Sequence, residues 1–124
     1  MIYLSAEELF TIAQRVVPDV ALRDAGLLDS AAARPATRFA GGEVYPGTVP
    51  KCAALMHSLA RNHPLVDGSK RLALAASIVY LGLNGVRTTA SNDEAYELIM
   101  AIASGELDDV PAIAERLEPL TEPW

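Results

Sequence analysis

Nine consecutive residues, His63-Pro-Leu-Val-Asp67-Gly68-Ser69-Lys70-Arg71, bring together an imidazole, a carboxylate, a glycine, a hydroxyl and two cations. The flanking segments read as helices, so this stretch is a loop leading into a helix start. Ser69 is expected as the N-cap, leaving the amides of the first turn without intrahelical partners. Those amides, the positive end of the helix dipole, Lys70 and Arg71 together describe an anion site suited to phosphate. Two cations in a first turn, where the dipole prefers acids, make sense if an anion sits between them. Gly68 lets backbone approach closely because it has no Cβ. Asp67, ionised beside this cationic nest, is the candidate for holding Mg²⁺ against phosphate oxygens. His63, with an ordinary pKa near 6.5, is the candidate base for an attacking hydroxyl. Base, metal carboxylate and phosphate cradle together point to phosphoryl or nucleotidyl transfer.

The elements that must hold these groups are helical. Ser5-Ala-Glu-Glu8 has the capping-box spacing, and Leu9, Ile12, Ala13, Val16 and Val17 recur on one face, so residues 6–17 form a helix stopped at Pro18. A shorter helix is expected over 24–34, ending before Pro35. Gly41-Gly42 and Pro46 mark a loop or lid over 39–47. Helix returns over 48–62, with Cys52, Leu55, Met56 and Leu59 as its buried stripe. Residues 70–83 are apolar nearly all round, as a central helix would be, and Asn84-Gly85 closes it. Two more helices cover 93–103 and 110–117. Met1–Leu4 is at most a strand-like stub, and no alternating run suggests a sheet. The expectation is a single all-α domain over 1–124, a helical bundle around a buried central helix at 70–83.

Composition narrows the function classes. The chain has 124 residues and is 51% hydrophobic, enough for one core and too apolar for a disordered linker. One cysteine excludes an internal disulfide and fits a reducing, cytoplasmic setting. No basic region followed by an apolar stretch stands at the N-terminus, so no signal peptide is expected. The longest uncharged run, Leu72–Val86, falls short of the roughly 18 residues that suggest a membrane span. Residues 63–124 carry the whole net charge of −6, which argues against a nucleic-acid backbone as partner.

The nine residues resemble the HxFx[D/N]xNKR motif of the Fic/Doc family, in the form found in the death-on-curing (Doc) toxins of bacterial toxin–antitoxin modules. The likeness extends to Gly26-Leu-Leu-Asp-Ser-Ala-Ala-Ala-Arg-Pro35, to Tyr45-Pro46 and to Ala101-Ile-Ala-Ser-Gly-Glu106. Lys70 stands where nucleotidyl-transferring members carry glycine, which points to the Doc branch. The resemblance implies the compact all-α Fic fold and transfer of the γ-phosphate of ATP to a threonine of elongation factor Tu. It also implies a cognate antitoxin as partner. By matching position, His63 would be the general base and Asp67 would support the metal and the base. Lys70 and Arg71 would grip the phosphates, and Gly68 with the amides after it would form the anion nest. The alternatives are nucleotidyl transfer (AMPylation) to a protein hydroxyl and a catalytically attenuated antitoxin-binding module.

Two positions depart from the motif. Leu65 replaces the usual Phe and is expected to stay buried with less packing area. Ser69 replaces the usual Asn, keeping an N-cap but losing an amide donor toward phosphate, a loss worth roughly 10²–10³ in rate. Elsewhere, His57 is expected to be structural or surface-exposed, Cys52 to lie in the core, and Ser77 and Tyr80 to lack a base. Arg34, Arg38 and Gly41–Tyr45 are expected to lean over the motif. Pro123-Trp124 is expected as a tail on another chain or a frayed end.

Overall fold

The computed structural model describes all 124 residues. Six α-helices account for most of the chain: α1 (Ala6–Val16), α2 (Ala25–Ala33), α3 (Thr48–Asn62), α4 (Ser69–Leu83), α5 (Asn92–Ala103) and α6 (Val110–Leu117). Short 3₁₀ turns follow α2 and α6. Ser5 and Ser91 each close a capping box, with Glu8 and Glu94 reaching back, and Asp24 and Asp109 cap α2 and α6. Each cap satisfies an amide that would otherwise face water unpaired, which is why these helices begin where the sequence indicates.

The fold is not strictly all-α. Strands β1 (Arg38–Phe39) and β2 (Gly42–Glu43) pair antiparallel, as do β3 (Val86–Thr88) and β4 (Thr121–Pro123). The expected loop or lid at 39–47 is therefore in part a hairpin. Its two turn residues, Ala40 and Gly41, both have positive φ, as two-residue hairpin turns require. Runs of two or three residues are too short to show an alternating pattern, so periodicity could not reveal them. Pro123-Trp124 is neither frayed nor extended outward. The Trp124 backbone N–H donates to the Gly85 carbonyl, and its ring lies beneath the Arg87 guanidinium. The N-terminal stub is no strand; Ile2 exchanges two hydrogen bonds with the Asn84 amide.

A cluster of 26 buried apolar residues forms the core. Its centre is α3 rather than the expected 70–83 helix. Almost every α3 position from Val49 to Ala60 is buried, whereas α4 leaves Ile78, Val79 and Leu83 exposed. Small side chains explain the difference: Cys52, Ala53, Ala54, Ser58 and Ala60 let α2, α4, α5 and α6 all pack closely on α3. Cys52 is buried with its thiol pushed up to about 12 by burial, so it is an inert core residue. Ser77 turns its hydroxyl to the Ala73 carbonyl, and the Tyr80 hydroxyl is buried without a partner. No helix is long and apolar enough to cross a membrane.

Candidate functional site

The motif loop joins the two helices that pack most extensively on each other, α3 and α4. Pro64 cannot continue α3, because it lacks an N–H and its ring crowds the preceding turn. His63 absorbs the change of direction in the left-handed region, with φ 51° and ψ 68°. That conformation is costly for a residue with a Cβ, on the order of 1–3 kcal/mol, and persists only where surrounding contacts enforce it. Here the enforcement comes from the segment between α1 and α2. The Arg23 and Asp24 amides both donate to the Pro64 carbonyl, at 2.8 and 3.1 Å, and Val66 N–H donates to the Ala21 carbonyl at 2.9 Å. Leu22 and Leu65 form a single antiparallel bridge, and Leu65 is buried at 1% exposure, so leucine anchors the loop where the motif has phenylalanine.

Gly68 is required twice over. Its φ is +90°, and a Cβ there would stand 2.6 Å from both methyls of Val17. Gly68, not Ser69, is the N-cap of α4, and no side chain caps the helix. The expected capping role of Ser69 is thus overturned: Ser69 is the first helical residue, and its buried hydroxyl accepts from Leu65 N–H at 3.1 Å. With the turn made at Gly68, the serine side chain folds back to close the loop from within. The first helical bond runs from Leu72 N–H to the Gly68 carbonyl, so the amides of Ser69, Lys70 and Arg71 have no partner within the helix. Lys70 and Arg71 are exposed, and Arg71 also donates to the Val16 carbonyl at 3.2 Å. Asp67 accepts from Gly68 N–H through one carboxylate oxygen, at 3.0 Å.

These residues line a cleft of about 1040 Å³ together with Val17, Pro18 and Arg23 from the end of α1 and the segment after it, and with Asn92, Tyr96, Ile99 and Met100 of α5. All six expected site residues, His63, Asp67, Gly68, Ser69, Lys70 and Arg71, line it. The expected overhang does not. Arg34 bonds the Tyr45 hydroxyl, His57 Nδ1 and Ser58, while Arg38 bonds the Gly41 carbonyl, both outside the cleft. Chain order suggested these residues because they precede α3, but Arg23 meets the loop and α5 completes the cleft instead. Nothing local in the sequence marks Asn92 or Tyr96 as cleft residues, because their place depends on how α5 packs.

Electrostatics suit a base at His63. Partial desolvation first, and then the positive charges of Lys70, Arg23 and Arg61, hold its pKa below the ordinary 6.5, so the imidazole is neutral at pH 7. Asp67 is the one acidic residue lining the cleft, and no three His, Cys, Asp or Glu side chains converge anywhere to bind a metal by themselves. That donor set fits Mg²⁺, which is commonly held by a single carboxylate together with phosphate oxygens and water. His57 stands apart. Arg34 can only donate, so His57 Nδ1 accepts at 2.6 Å and Nε2 carries the proton shared with Asp108 at 2.7 Å, a structural tie as expected.

The Fic/DOC family model matches residues 3–81, which include the entire motif and the α1–α2 segment that braces it. The chain is also 42% identical over 109 residues to Toxin Doc of Mycolicibacterium smegmatis, covering 86% of this chain and 84% of that protein. A match of that extent, with the motif residues gathered on one cleft, is more than a shared short pattern: the chain belongs to the Fic/Doc family.

Proposed function

We propose that this protein is the toxin of a toxin–antitoxin module and transfers the γ-phosphate of ATP to a threonine of elongation factor Tu, blocking translation. One observation carries the reading: His63 lines the same cleft as a cationic helix start that no side chain caps, with its charged form disfavoured there. ATP with Mg²⁺ supplies the phosphoryl group, and its transfer to the threonine oxygen releases ADP. His63 takes the hydroxyl proton, raising the oxygen's nucleophilicity at the moment of attack. The Ser69, Lys70 and Arg71 amides, with the Lys70 and Arg71 side chains, hold phosphate oxygens and the charge that develops on them. Asp67 would hold the metal through the carboxylate oxygen that its bond from Gly68 leaves free. Gly68 keeps the cradle open, and the Ser69 hydroxyl keeps its shape through Leu65. The work is therefore positioning and charge stabilisation, as phosphoryl transfer demands. A cognate antitoxin is the expected partner, the cytoplasm the expected place, and no direct nucleic-acid binding is expected.

The test is incubation with ATP labelled at the γ-phosphate, Mg²⁺ and elongation factor Tu, with His63→Ala in parallel. Label on the factor that drops at least about 100-fold in the variant is the expected result. Label retained from the α-phosphate instead would assign nucleotidyl transfer. A second reading, an attenuated antitoxin-binding module, has one observation in its favour: the Ser69 hydroxyl faces Leu65 rather than a phosphate. Ser69→Asn separates the two, since only an attenuated enzyme gains rate from the restored amide donor.

A further inference from the structure

The α1–α2 segment does more than brace the loop with its backbone. The Arg23 side chain reaches the C-terminal end of α3 and donates twice, from Nε to the His63 carbonyl at 2.7 Å and from Nη2 to the Asn62 carbonyl at 2.8 Å. These are carbonyls that a helix end leaves unpaired, and they carry the negative end of the dipole. A planar guanidinium spanning two successive carbonyls fixes both peptides that flank one residue, which a single point charge on a flexible stem does not. That residue is the left-handed His63. No other side chain bonds either carbonyl.

We infer that Arg23 is a positioning residue for His63: its fork holds the Asn62–His63 and His63–Pro64 peptides so that the imidazole is presented to the cleft. Arg23 acts through the backbone of the base rather than on the reacting atoms. Its own amide still bonds Pro64 whatever side chain follows, so replacing the side chain isolates the guanidinium. The inference rests on His63 being the base of the proposed transfer. Its structural half, that Arg23 sets the imidazole's position, is testable without any turnover.

Arg23→Ala and Arg23→Lys are compared with the parent in two experiments. In the first, the two histidines of the chain are followed by proton NMR without nucleotide or target, His63 being assigned from its loss in His63→Ala. At about pH 9, where the ring is neutral with or without the Arg23 charge, the His63 ring signal shifts or broadens in Arg23→Ala while that of His57 stays. In the second, steady-state transfer in Arg23→Ala shows kcat lower by about 10- to 100-fold with KM for ATP within about twofold, the signature of a misplaced base. Arg23→Lys recovers only part of the rate, because one ammonium cannot span both carbonyls. Should Arg23→Ala fail to fold, Arg23→Lys carries both comparisons. An unmoved His63 signal overturns the inference, as does full activity in Arg23→Lys. A raised KM for ATP at unchanged kcat also overturns it and makes Arg23 a phosphate contact. If the parent labels no target, the transfer reading fails, and the His63 signal still decides whether Arg23 sets the ring.

Discussion

His63 combines a strained backbone with an imidazole whose charged form is disfavoured, and both properties come from neighbours distant in sequence. Its folded pKa lies below the unfolded value, so folding favours the neutral ring. The matching stability is fully present above about pH 6.5 and is lost as pH falls through the folded pKa. Activity should follow the same ionisation, with an acid limb in the pH–rate profile below 6.5 that moves further down in no variant lacking Lys70. Removing that charge, as in Lys70→Gln, should raise the pKa of the ring, and an NMR titration of His63 reads it directly. Gly68 makes a second expectation at this scale. Gly68→Ala forces a methyl into Val17 and a disfavoured φ, so unfolding free energy should fall by about 2–4 kcal/mol. Adding Val17→Ala should return only the steric part, which a double-mutant cycle by denaturant unfolding measures.

The elements are tied by polar side chains that a reading of the local sequence does not anticipate. Lys51 is 1% exposed inside α3, yet its ammonium bonds the Tyr45 carbonyl and pairs with Glu43 at 3.2 Å. It thereby anchors the β1–β2 hairpin and the segment after it onto the most buried helix. Lys51→Met keeps the aliphatic volume but leaves the Tyr45 carbonyl without its donor, so a loss of about 1–3 kcal/mol is expected. Hydrogen exchange should accelerate across 38–45 before anywhere else in the chain. Glu43→Gln should cost less, because the carboxylate is 43% exposed and screened by water.

Across the whole molecule, one bridge links the chain's two halves. Arg34, just after α2, bonds His57 of α3, which bonds Asp108 between α5 and α6, and Arg61 adds a contact to Asp108 at 3.4 Å. The hydrogen bond from His57, followed by the charge of Arg61, holds the Asp108 carboxyl below the usual carboxylate range. A depressed acid pKa stabilises the fold above the unfolded value near 3.9, and that contribution is lost as pH falls through the folded pKa. The Tm of Asp108→Asn should therefore lie below the parent's at pH 7, and the two should converge as the solution is acidified well below pH 4. A constant gap across that range would show that the tie is not ionic.

Helix positions were legible because their signals are local: the capping box at Ser5, Pro18 and Pro64 as stops, and Asn84-Gly85 as a close. The chemistry of His63 to Arg71 was legible for the same reason, since nine contiguous residues carry the groups together and a helix start presents its amides whatever surrounds it. Which helix lies at the centre was not legible, because apolarity along 70–83 does not say how many neighbours approach, and the small residues of α3 admit more of them. The two-stranded pairs escaped because runs of two or three residues show no alternation, and β3–β4 also joins segments as far apart as Val86 and Pro123. Ser69 resembled a cap until the turn at Gly68 pointed its hydroxyl inward. Arg23, Asn92 and Tyr96 reach the cleft only when α1–α2 and α5 dock on the motif loop, and the pKa of His63 depends on that docking. Local chemistry follows from neighbours in sequence, whereas proximity across 40 residues, as between Arg23 and His63, exists only once the core has closed.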